Sequence, residues 1–63
     1  MGKYVVAEKS SNEEFKYHNQ YGVIEHARQM ARDVGHEEEA DRILFYHEAV
    51  EYLDMYDFIA YEE

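Results

Sequence analysis

A chain of 63 residues without a single cysteine has to hold itself together around one small hydrophobic core. A core of that size supplies only about 3–5 kcal/mol unless something staples it. Disulfides and thiolate-bound zinc are excluded by composition, which brings forward self-association as a staple. The length suits one domain, residues 1–63. Seven tyrosines, three phenylalanines and no proline separate the chain from disordered acidic tails, which are poor in aromatics.

The order of elements follows from periodicity. Residues 3–9 (KYVVAEK) are rich in β-formers, and in residues 14–19 (EFKYHN) Phe15 and Tyr17 alternate with polar neighbours. Ser10-Ser11-Asn12-Glu13 between them has turn chemistry, so an N-terminal β-hairpin is expected. From Val23, the residues Ile24, Ala27, Met30, Ala31 and Val34 form one apolar stripe, predicting a helix over 20–34. Asn19 is placed to cap its start and Gly35 to end it. A second helix is expected over 37–60. Its opening turn holds three glutamates, and one broad face carries Ile43, Phe45, Tyr46, Ala49, Val50, Tyr52, Leu53, Tyr56, Ile59 and Ala60. The fold class is therefore α+β, a hairpin followed by two helices. The alternative is all-α, a helical hairpin or three helices, because Ser11 and Glu14 also have capping-box spacing.

Charge is distributed unevenly. Residues 1–35 hold five basic and five acidic residues, whereas residues 36–63 hold Arg42 against ten carboxylates, so the whole net charge of −9 falls in the second half. On the predicted second helix Glu37, Asp41, Glu48 and Glu51 line up opposite the apolar face, bordered by Asp54 and Glu62. Leu44, Met55 and Phe58 sit among these acids. Carboxylates interleaved with apolar anchors have the composition of a docking surface. Twenty-eight helical residues would span roughly 42 Å, about one charge per 4 Å, comparable with the phosphate spacing of a DNA strand. The expected partner is another protein, in one version a nucleic-acid-binding protein for which the helix acts as a mimic. Direct binding to DNA or RNA is disfavoured by Coulomb repulsion.

Other chemistries find little support. His47 and Glu51 lie one helical turn apart, but none of His18, His26, His36 and His47 follows a glutamate by three residues, and no HExxH is present. The only serines, Ser10 and Ser11, fall in a turn, and Gly2, Gly22 and Gly35 form no phosphate-cradling loop. No metal, cofactor or catalytic residue is expected, and the chain reads as a non-enzyme. Tyr46, Tyr52 and Tyr56 are expected in the core, Tyr21 and Tyr61 near element ends. No apolar run approaches the roughly 20 residues that cross a bilayer. The N-terminus lacks a signal-peptide layout, and Val6 stands where a myristoylation motif at Gly2 requires Ser or Thr. A cytoplasmic location with no membrane partner is expected.

In size and composition the chain is similar to phage-encoded host-takeover and anti-defence proteins, many of which imitate DNA; the similarity is one of type and implies no particular residue. It points to an inhibitor or adaptor, and the charge pattern places the docking surface at Glu37, Asp41, Leu44, Glu48, Glu51, Asp54, Met55, Phe58 and Glu62. The competing expectation is a structural homodimer, paired through those apolar residues or through an exposed hairpin edge.

Overall fold

The central feature is a three-stranded antiparallel sheet in the order β2-β1-β3, with helices packed on one face. The computed structural model describes residues 3–63; Gly2, considered above as a lipidation site, lies outside them. β1 (Tyr4–Glu8) pairs with β2 (Glu14–Tyr17), then α1 (Gln20–Asp33), α2 (Glu37–Arg42), α3 (Tyr46–Met55) and β3 (Phe58–Glu62) follow. The chain is α+β, as the sequence indicates, but the third strand and the third helix were not expected.

The hairpin and the first helix form for the expected reasons. Phe15 and Tyr17 turn inward against the helices while Glu14 and Lys16 stay exposed. The Glu8 N–H donates to Glu13 O at 2.9 Å and the Asn12 N–H to Glu8 O at 2.8 Å, closing a turn in which Asn12 takes φ 62°. Asparagine tolerates that left-handed conformation better than most residues. The Asn19 side chain accepts from the Gly22 N–H at 3.1 Å, the N-cap of α1. At the other end Gly35 has φ +85°, His36 N–H bonds Ala31 O at 2.7 Å and Gly35 N–H bonds Arg32 O at 3.0 Å, a Schellman closure. Val23, Ala27 and Ala31 of the predicted stripe are buried and Ile24 and Met30 pack beside them; Val34, at the helix end, is 58% exposed.

The predicted helix over 37–60 is broken twice. Ile43 is buried in an extended conformation (ψ 92°) and Phe45 is extended too (φ −122°, ψ 160°). The Glu48 carboxylate folds back to accept from the Leu44 and Phe45 N–H groups at 2.9 Å each, satisfying donors that the start of α3 would otherwise leave unpaired. The second break is at Asp57 (φ +73°), whose carbonyl accepts from the Lys9 N–H at 2.8 Å. Phe58–Glu62 then runs antiparallel to β1, with Val6 opposite Ala60. A two-stranded hairpin is marginal alone, and this third strand supplies what it lacks.

Val6, Val23, Ala27, Ala31, Ala40, Ile43, Ala49, Tyr52 and Leu53 form the core, with Phe58 and Ala60 packed against it. Of the apolar face predicted for the second helix, Tyr46 packs against this core, but Phe45 (60% exposed), Tyr56 (39%) and Ile59 (46%) do not join it. Ile59 and Tyr61 instead share with Val5 the face of the sheet turned away from the helices. Val5 is nevertheless fully buried, flanked in register by Lys16 and Tyr61. A Lys16–Glu63 ion pair at 3.5 Å joins β2 to the end of β3.

Gly22 marks a close approach between α1 and the sheet: a Cβ there would lie 2.5–2.8 Å from the Tyr17 ring and Cβ. Gly22→Ala, which in an unobstructed helix gains up to about 1 kcal/mol, is expected to cost about 1–3 kcal/mol here by overpacking. A urea titration checks the sign.

Candidate functional site

The nine residues expected along the face of one helix are divided among two helices, a loop and a strand. Glu37 and Asp41 are exposed on α2, Leu44 lies in the following loop, Glu48, Glu51, Asp54 and Met55 belong to α3, and Phe58 and Glu62 to β3. The continuous rod of roughly 42 Å is absent; the longest dimension of the molecule is 32 Å. The DNA-like charge spacing computed for that rod therefore does not apply. Leu44 (60% exposed) and Met55 (67%) remain at the surface, whereas Phe58 packs against the core beside His26, with ring centroids 5.9 Å apart. Asp54 is paired with Lys9 at 2.8 Å, and Glu48 is occupied as the α3 cap. Glu37, Glu38, Glu39, Asp41 and Glu51 belong to none of the ion pairs among the described residues, which are Lys9–Asp54, Lys16–Glu63 and Arg28–Glu25.

A concave site lies elsewhere, between α1 and the hairpin. It is an open depression of about 720 Å³. Tyr21, Glu25, Gln29 and Asp33, spaced four apart along α1, line one side. Glu8 and Glu13 of the hairpin line the other, and half-buried Phe15, Tyr17, His26 and Phe58 lie at the bottom. The His26 ring is enclosed by aromatics, 4.9 Å from Phe15 and 5.8 Å from Tyr17, and its Nδ1 shares a 2.6 Å hydrogen bond with the Tyr17 hydroxyl. The absence of a Cβ at Gly22 makes room for the Tyr17 ring. No Lys or Arg lines the depression.

This site was missed in the sequence because its acids come from the half of the chain with no net charge. Lys9 and Lys16 are drawn away to Asp54 and Glu63, and Arg28 reaches only Glu25, at 3.3 Å. The i, i+4 row on α1 was the available signal, but only the hairpin's return across the helix makes it a wall.

Protonation follows burial and hydrogen bonding. Burial lowers the pKa of His26 and raises that of Tyr17. The backbone donors of Leu44 and Phe45, aided by nearby His47, hold the Glu48 carboxyl below its ordinary range against a smaller desolvation effect. His36 meets the Tyr52 hydroxyl at 3.3 Å. Among the described residues no group of three or more His, Asp or Glu is placed to hold a metal ion, and no helix is long and apolar enough to cross a membrane. No family model, curated protein or solved structure matches the chain.

Because the folded Glu48 pKa is depressed, its contribution to stability is complete above the carboxyl's unfolded pKa and is lost as pH falls through the folded one. Glu48→Gln is therefore expected to lower the melting temperature at neutral pH, with the gap to wild type closing in acid. Glu51→Gln is expected to change little. Thermal melts across pH read both.

Proposed function

We propose that the chain is a small acidic protein-binding module of inhibitor or adaptor type, without catalytic activity, that acts in the cytoplasm on a basic surface of another protein. The observation that carries this reading is the surplus of exposed carboxylates on α2 and α3. Glu37, Glu38, Asp41 and Glu51 are exposed, take no part in an ion pair or a cap among the described residues, and are accompanied by the exposed apolar side chains of Leu44, Phe45 and Met55. Unpaired like charges destabilise a small domain through self-repulsion, and a basic partner relieves that repulsion. Association of this kind is steered by charge and weakens with salt.

Glu37, Asp41 and Glu51 are the residues to reverse, since Glu48 is engaged as the cap of α3. The Glu37→Lys, Asp41→Lys, Glu51→Lys variant is expected to fold normally and to lose a partner that wild type captures at low salt. Capture that survives both the reversal and raised salt sinks the reading. A captured protein that is released by DNA or RNA would favour the nucleic-acid-mimic version.

One observation favours self-association as a second reading. β3 is an edge strand in which Asp57 and Glu63 hold the hydrogen bonds directed at β1, so by alternation Phe58, Ala60 and Glu62 direct their backbone groups away from the sheet. Exposed Ile59 and Tyr61 border that edge without a protecting lysine or proline. Sedimentation analysis separates the cases. A dimer that Ile59→Lys dissociates and that tightens with salt supports this reading; a strict monomer at high concentration removes it.

A further inference from the structure

The groove between α1 and the hairpin has the chemistry of a cation site although the segment that builds most of it carries no net charge. Glu8, Glu13, Glu25 and Asp33 face a lining with no basic residue, over a floor of aromatic rings. Glu25 is partly offset by Arg28; the Glu13 carboxylate has no hydrogen-bond or ion-pair partner among the described residues. Asp33 stands in the last turn of α1, where the helix dipole disfavours an anion. Its carboxylate is held by Gln29 at 2.9 Å, a neutral partner that leaves the charge in place. The groove thus combines negative walls with aromatic surface.

We infer that this groove receives an arginine side chain presented by a segment of a partner protein. A guanidinium is planar, stacks on aromatic faces and is less strongly hydrated than an ammonium; it also donates in a fork to carboxylates on either side. Lysine offers a compact, well-hydrated charge that uses the walls but not the floor. The exposed Tyr21 ring at one end adds a further stacking surface. The inference rests on the reading of the chain as a protein-binding module, but on a different surface from α2 and α3.

The test titrates the isotopically labelled full chain with a short capped arginine peptide, and with the same peptide carrying citrulline or lysine, followed by NMR. Arginine is expected to shift Phe15, Tyr17, His26 and Phe58, and citrulline to weaken binding about tenfold or more, as loss of a charge-assisted hydrogen bond requires. Lysine is expected to bind more weakly than arginine. The E13Q/D33N variant, altered at exposed positions, is expected to keep its melting behaviour and lose about tenfold in affinity. Equal binding of the citrulline or lysine peptide overturns the inference, as does an E13Q/D33N variant that binds like wild type. Shifts confined to α2 and α3, abolished by reversing Glu37, Asp41 and Glu51, would also overturn it while leaving the proposed function standing. Groove binding that persists in that reversed variant supports the inference even if docking through α2 and α3 fails.

Discussion

β1 carries two adjacent valines, Val5 and Val6, and neither retains exposed surface. Side chains of neighbouring residues in a strand point to opposite faces, so this strand must be covered from both sides. The helices cover Val6. On the other face no helix is packed among the described residues, and Val5 is flanked by Lys16 and Tyr61 of the neighbouring strands, with a Lys16–Glu63 pair joining β2 to the end of β3. That flanking requires a strand on each edge of β1. The need for a third strand is therefore written into the burial of β1, and the C-terminal residues supply it.

Supplying that strand constrains everything between α1 and the C-terminus. A helix running to residue 60 would leave β1 with one neighbour. The chain instead ends its helical path at Met55, turns through the left-handed Asp57 and returns as β3. The earlier break at Ile43–Phe45 lets Ile43 reach the core while α3 restarts with Ala49, Tyr52 and Leu53 inward. Glu48 makes this restart affordable by accepting two backbone N–H groups. One of the acids that looked most suited to a partner is thus engaged in holding the fold.

Charge follows the same logic of placement over composition. The second half carries the net charge, but its carboxylates are divided among two short helices, a turn and an edge strand. The first half sums to zero, but its cations and anions are sorted: Lys9 and Lys16 reach acids of the second half, while Glu8, Glu13, Glu25 and Asp33 gather around one groove. Net charge by segment describes long-range attraction to a partner. Which side chains stand together against an aromatic floor depends on how the hairpin crosses α1.

The sequence alone determined the α+β class, the hairpin with its inward Phe15 and Tyr17, and α1 with its Asn19 cap and Gly35 terminus. Each depends on residues close in sequence: alternation, one helical stripe, a short polar acceptor and a residue free to adopt positive φ. It also contained a warning about the second helix, since Leu44, Met55 and Phe58 did not fit an otherwise acidic face. All three stand at or beside the two breaks in that helix: Leu44 and Met55 stay exposed there, and the second break sends Phe58 into the sheet. Only the tertiary structure decided between helix and strand for residues 58–62, because Phe-Ile-Ala-Tyr-Glu satisfies either period and the deciding contacts are with β1, fifty or more residues away in the chain. The groove was hidden because its two walls lie on separate elements, and the packing of the hairpin against α1, not local propensity, sets them face to face.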